Sequence, residues 1–249
     1  MTTDGVYVYA IIRAGRRLPT GASGVGSPAA GLRMVCHRGV AAVVSQAPPN
    51  LRARRRDLLA HQDLLMRLSD QGPVLPMRFG MVAPDEETVR TQLAARENDH
   101  LAALEHLADG VEVNVKAFPA QNALGSLVAE DKNVRRLRDE ARRRPGYEAN
   151  VRLGEAIASA LESRAAEAGR RVLRELTLQA RAVAFGPEVQ GCVLNVSFLV
   201  NRDDSDDFRS VAEKFAETHH DRLELRLAGP LPCYSFVSAP ETSVRTAGV

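Results

Sequence analysis

Hydrophobic positions along the chain fall into short continuous runs and into longer stretches spaced by three and four. Val6-Tyr7-Val8-Tyr9-Ala10-Ile11-Ile12 is almost entirely β-branched, aromatic or aliphatic, which predicts a buried strand. Residues 32–36 and 40–44 are apolar runs on either side of His37-Arg38-Gly39, the pattern of a β-hairpin. Between them, residues 15–31 hold five glycines and two prolines and predict an irregular, mobile connection. After Pro48-Pro49 the period changes. Leu58, His61, Leu65 and Leu68 lie on one face of a helix with Asn50 as candidate cap and Gly72-Pro73 as its end.

Residues 74–80, Val-Leu-Pro-Met-Arg-Phe-Gly, form a short extended segment that Pro76 restricts to a sheet edge or bulge. Pro84 and the acidic residues 85–87 open a second helix, which carries Val89, Leu93, Leu101, Leu104 and Ala108 to a stop at Asp109-Gly110. Residues 111–118 then alternate as a half-buried strand. A helix over 122–144 turns Leu124, Leu127, Val128, Val134 and Leu137 inward and a basic face outward, and Pro145-Gly146 ends it. A longer helix over 147–180 has Gly154, Ile157, Leu161, Ala165, Ala168, Val172 and Leu176 as its stripe, with Gly169 a candidate bend. Strand 191–200, helix 205–218 and strand 222–227 close the pattern.

The expected fold class is α+β in two domains. Residues 1–119 form a mixed sheet domain. Residues 120–240 form a helical plus ferredoxin-like domain of split βαβ type with a long helix, and 241–249 form a flexible tail.

Composition adds bounds. The 249 residues are 45% hydrophobic and 26% charged, as in ordinary globular proteins. The first apolar run is too short to span a bilayer and has no basic leader, so a cytosolic protein is expected. Net charge is only +2, too little for a global field that would hold nucleic acid. Lys occurs only at 116, 132 and 214, so arginine supplies nearly all of the 33 basic residues, and its planar fork suits carboxylates as well as phosphates. Cys36, Cys192 and Cys233 are far apart, without metal spacing, and read as reduced, mostly buried thiols.

Candidate chemistry is sparse. Residues 21–26, Gly-Ala-Ser-Gly-Val-Gly, lack the Gly-Lys-Ser/Thr of a phosphate loop. Asp203, Asp204, Asp206 and Asp207 precede a helix and read as caps and dipole partners rather than a calcium loop. His61 reads as a partly buried histidine bonded to backbone or solvent, His219-His220 as a helix end, and no nucleophile setting surrounds Ser45, Ser197 or Ser235. Neither a cofactor nor a metal is expected. Arg52, Arg54, Arg55 and Arg56 occupy the first turns of a predicted helix, where positive charge opposes the dipole. A solvated face, an acidic partner surface and a nucleic-acid contact all remain open for them.

Three segments together resemble the gas vesicle protein F/L family: Tyr7-Val8-Tyr9-Ala10-Ile11, Val74 to Gly80 with Pro76, Arg78, Phe79 and Gly80, and residues 229–237 with Gly229, Pro230, Tyr234 and Phe236. Met81 stands where the family commonly has Thr, and Leu231 and Cys233 replace a common Trp and Pro. The resemblance implies a non-enzymatic accessory or minor structural protein, associated with gas vesicles, that contacts the major shell protein and other accessory proteins. It also implies structural roles for Tyr9, Pro76, Gly80, Gly229, Pro230, Tyr234 and Phe236. Arg52, Arg54, Arg55, Arg56, Arg78 and Phe79 are the candidate partner contacts, Arg78 being equally readable as an edge arginine paired with a carboxylate. The competing classes are a small-molecule- or nucleotide-binding enzyme and a basic nucleic-acid binder.

Overall fold

The computed structural model describes residues 5–49, 51–120 and 123–237. They form two compact units: the chain up to Glu112 joined by the segment from Pro230 onward, and Val113–Gly229. The division thus falls within a strand and not at Pro119, where the sequence placed it. Its cause is the returning segment, which is fastened to residues just before the division. Glu112 accepts hydrogen bonds from the Ser235 backbone at 2.8 Å and its hydroxyl at 2.7 Å, and the Cys233 thiol lies 3.6 Å from the Gly110 carbonyl.

The first unit is built on β1 (Val6–Arg13), β2 (Arg33–His37), β3 (Val40–Gln46), β4 (Leu75–Pro76) and β5 (Val82–Ala83), with helices α1 (Arg55–Ser69), α2 (Glu86–Ala95) and α3 (Glu97–His106). Strand order is β2-β3-β1-β4, and β5 also pairs with β1. Every described pairing in this sheet is antiparallel. A register shift between Val8 and Ala10 leaves Tyr9 as an extra residue in β1. Such a bulge reverses the alternation of side chains, so Tyr7, Tyr9, Ala10 and Ile12 all enter one core with Leu64, Leu65 and Leu68 of α1. α2 packs against β2 and β3, and α3 against β1 and β3, which is why β3 is buried at every position but Gln46. Pro76 lies on an edge strand opposite Ala10, where its missing N–H costs no ladder bond.

Several local expectations change. The helix predicted across 84–109 is two, broken at Arg96, whose φ of −128° and ψ of 24° leave the helical region. α1 begins at Arg55, so Arg52 precedes it and Arg54 is its N-cap residue, without a side-chain cap bond. Asn50 lies outside the described residues. Leu58 is 41% exposed and Asp57 takes the inward place, beside His61, Leu64, Leu65 and Leu68. The glycine-rich connection is irregular but held: Val25 is fully buried, its N–H donates to the Tyr9 hydroxyl at 2.7 Å, and Gly26 donates to Asp57 at 2.9 Å. A Cβ on Gly24 would come within 2.5 Å of the Tyr9 hydroxyl, so the close approach requires glycine there.

The second unit is built on β6 (Gly110–Pro119, from Val113 onward), α4 (Leu124–Glu130), α5 (Lys132–Arg143), α6 (Tyr147–Thr177), β7 (Ala182–Phe185), β8 (Leu194–Asn201), α7 (Ser205–Thr218) and β9 (Leu223–Leu231, as far as Gly229). The order β7-β8-β6-β9, with helices connecting β6 to β7 and β8 to β9, is a ferredoxin-like split βαβ arrangement. Val113, Val115, Val196, Phe198 and Val200 face Ala165, Ala168, Val172 and Leu176 of α6 and Phe208, Ala212 and Phe215 of α7 in one core. α6 continues through Gly169 without a break, while Gly154 is exposed and outside its buried stripe. The helix predicted over 122–144 is split at Asp131, whose carboxylate accepts the N–H groups of Asn133 and Val134 at 2.8 and 2.9 Å and so caps α5. Leu124 is 49% exposed instead of inward. β9 extends to Leu231, so Gly229-Pro230 lies in a strand. Among the described residues no helix is long and apolar enough to cross a membrane.

Candidate functional site

Three aromatic residues that carry the family resemblance converge inside the first unit. Tyr9 comes from the β1 bulge, Phe79 from the segment after β4, and Tyr234 from the 3-10 turn Tyr234–Phe236, and all three join the core around Tyr7. His61 of α1 is at the centre. Its ring lies 5.7 Å from Tyr7, 5.6 Å from Tyr9 and 5.7 Å from Phe79, centre to centre. The Tyr7 hydroxyl is 2.9 Å from His61 Nδ1, His61 Nε2 is 3.0 Å from the Met77 carbonyl, and Gly80 N–H donates to the Tyr7 hydroxyl at 3.1 Å.

One tautomer satisfies all three contacts. Nε2 carries the proton and donates to Met77, while Nδ1 accepts from Tyr7, whose oxygen accepts from Gly80. Gly80 has φ of +92°, the left-handed backbone that glycine adopts without strain and that points its N–H at Tyr7. The histidine is therefore a tie between helix, central strand and edge segment. Burial holds its pKa below the usual value and raises those of Tyr7 and Tyr9, so all three are neutral near pH 7. Tyr234 is pushed up to about 12 by burial first and by Glu112 second.

A pH effect follows from the histidine. Below the reference value of 6.5 the unfolded chain takes up a proton that the folded imidazole refuses. Stability is complete above pH 6.5 and falls as pH drops through 6.5 toward the lower folded pKa, by at most about 1.4 kcal/mol per pH unit for one group. Unfolding midpoints in urea between pH 7.5 and 5.5 should fall less steeply in His61→Gln than in wild type. Some slope should persist, because burial lowers His100 in the same direction.

The other candidates separate from this core. Arg52, Arg54 and Arg55 are exposed and have no ion pair among the described residues, whereas Arg56 lies 3.6 Å from buried Asp57. They adjoin Leu58 and Leu59, 41% and 53% exposed, so one end of α1 presents arginine and leucine together. Asp57, on the inner side, holds the 15–31 connection through Gly26. Arg78 is exposed and, contrary to the expectation of a paired edge arginine, has no carboxylate partner among the described residues. Phe79 is half-buried and packs against the core. Gly229 accepts a hydrogen bond from Arg209, and Phe236 is half-buried.

The other acidic and histidine candidates stand at the ends of α7. Asp204 is the N-cap residue of α7 but makes no cap bond. Its carboxylate accepts from Asn201 at 2.9 Å instead, and Asp206 and Asp207 stand in the first turn. His219 stacks on Phe215 with ring centres 4.0 Å apart and contacts the Phe215 carbonyl. Cys36 is exposed, contrary to expectation, because it lies on β2 at the sheet edge. Cys192 is half-buried and Cys233 buried. Among the described residues no group of three or more His, Cys, Asp or Glu is arranged to hold a metal. Asp57 and Glu112 carry no signal in the sequence, since an acid in a helix and an acid in a strand have no special spacing.

Comparison with known proteins agrees with this geometry. Residues 5–238 match the family described as gas vesicle synthesis protein GvpL/GvpF. Gas vesicle protein F of Streptomyces sp. (strain CB03234) is 42% identical over 237 residues, covering 93% of this chain and 98% of that protein. Gas vesicle protein L of the same strain is 30% identical over 271 residues, covering 98% and 97%. The crystal structure of GvpF from Anabaena sp. PCC7120 superposes with a TM-score of 0.76 at 26% identity, covering 95% of this chain and 99% of that one.

Proposed function

Given that this chain belongs to the gas vesicle synthesis protein GvpL/GvpF family, we propose that it is an F-type accessory protein which supports shell nucleation or growth without catalysis. The F-type reading rests on the two relatives from one strain, since identity is 42% to protein F and 30% to protein L. Its site of action is the cytoplasm, at the growing vesicle. The partner is the major shell protein, with other accessory proteins as further contacts.

The observation that carries the reading is the outer face of α1. Arg52, Arg54 and Arg55 are exposed and uncompensated beside exposed Leu58 and Leu59. Positive charge near the start of a helix opposes its dipole by about 0.3–1 kcal/mol per residue, and exposed leucines bring the fold no burial. Arginine with an apolar neighbour instead suits an amphipathic protein surface bearing carboxylates. Deleting the gene in its vesicle-forming host should abolish floating cells, and the wild-type gene supplied in trans should restore them. Normal buoyancy in the deletion strain would refute the role.

A further inference from the structure

The second unit carries another charged surface, on α5. Burial uses only a thin stripe of this helix, Val134 and Ala141 with half-buried Leu137 between them, and α5 packs that side on α6. Its solvent side forms a groove lined by Lys132, Arg135, Arg136, Asp139, Glu140 and Arg143, with Arg144 at its end. The spacing of three and four puts these side chains on one helix face. A shallower cleft continues from Glu140 and Arg144 to Tyr147, which is 86% exposed.

Internal contacts use only part of this charge. Arg136 pairs with Glu140 at 3.4 Å, Arg138 with Asp139 at 3.0 Å, and Arg135 donates to the carbonyls of Val128 and Ala129 at the end of α4. Lys132, Arg142, Arg143 and Arg144 have no counter-charge among the described residues. The helix dipole favours Arg142 and Arg143 in the last turn but opposes Lys132 at the first position. Arg144 lies beyond the helix. The fold alone therefore does not account for the charge.

The order of signs selects the partner. Along the groove, basic Lys132, Arg135 and Arg136 are followed by acidic Asp139 and Glu140, then by basic Arg143 and Arg144. A phosphate polymer carries one sign throughout and would find no uncommitted cation at the centre, where the two carboxylates take up Arg136 and Arg138. A helix can alternate signs at the same three- and four-residue spacing, as facing helices do when flanking charges set their pairing. We propose that the outer face of α5 is a docking surface for an acidic helix of a partner protein, with carboxylates at both ends of its contact stripe and a basic residue in the middle. This surface is separate from the α1 face and does not depend on the identity of the partner there.

The probe is a fluorescently labelled synthetic helical peptide of about 20 residues, roughly 30 Å long, with a Glu-Lys-Glu pattern on one face. Anisotropy titrations would use the full chain. Wild type should bind it, and Arg143→Glu with Arg144→Glu should weaken binding about tenfold or more. Arg143→Gln with Arg144→Gln, checked for helix content by circular dichroism, should weaken it less. Asp139→Lys with Glu140→Lys should shift preference toward an all-Glu peptide. Absence of wild-type binding, insensitivity to Arg143 and Arg144, or equal affinity for oligothymidylate or phosphatidylserine vesicles would each overturn the proposal.

Discussion

Replacing His61 with alanine is expected to lower the stability of the first unit by about 4 kcal/mol or more. The imidazole is almost fully buried, contacts the rings of Tyr7, Tyr9 and Phe79, and makes both of its hydrogen bonds. Its removal leaves a cavity comparable to that of an aromatic truncation, which costs about 3–5 kcal/mol. The Met77 carbonyl also loses its side-chain partner, and the Tyr7 hydroxyl has nowhere to donate, at about 1–3 kcal/mol for each buried group left unpaired. Equilibrium unfolding in urea would measure the loss. A change below about 1 kcal/mol would show that the network does not tie α1 to the sheet.

The second large effect is expected in the other unit. Phe198 of β8 is fully buried, 5.2 Å from the Phe208 ring, among residues of β6, α6 and α7. Phe198→Ala should cost about 3–5 kcal/mol through lost burial and the remaining cavity. Since α6 and α7 contribute much of the helix, far-ultraviolet circular dichroism should show a large share of its signal melting earlier than in wild type. An unchanged melt would mean that the sheet repacks around the vacancy.

The two effects bear differently on function. His61 fixes the helix whose outer face carries Arg52, Arg54, Arg55, Leu58 and Leu59, either within it or just before it. Of the residues by which the family resemblance is recognised, Tyr9 is fully buried, Pro76 is buried on the edge strand and Tyr234 packs against the core, while Gly80 is exposed and holds Tyr7 through its N–H. A sequence signature of this sort marks the scaffold that positions an interface.

Much of the architecture was legible where the period was strong. β1, the β2-β3 hairpin and α7 follow directly from apolar runs and helical spacing. The β1 bulge was not legible, because every residue from Val6 to Ile12 is apolar or aromatic and no alternation was present to be interrupted. The break at Arg96 lacks glycine or proline, so only packing reveals it. The split at Asp131 did have a readable signal, an aspartate at the start of a new apolar period, but the surrounding helix propensity concealed it. β7 has four residues, Ala-Val-Ala-Phe, at a sheet edge, too short for a period to be distinguished. Of the candidate site, the arginine cluster was visible in the sequence, but not that Arg52 and Arg54 would stand ahead of the first helical residue, Arg55. Asp57 gave no sign that it would point inward.

The most direct test is retention of the major shell protein by affinity-tagged chain in co-expressing cells, comparing wild type with Arg52→Glu, Arg54→Glu, Arg55→Glu and Leu59→Glu combined. The expected result is shell protein recovered with wild type and lost with the variant, whose urea unfolding midpoint stays near that of wild type. Equal recovery of shell protein by the folded variant would contradict the α1 contact, and failure of wild type to retain any would contradict direct binding to the shell.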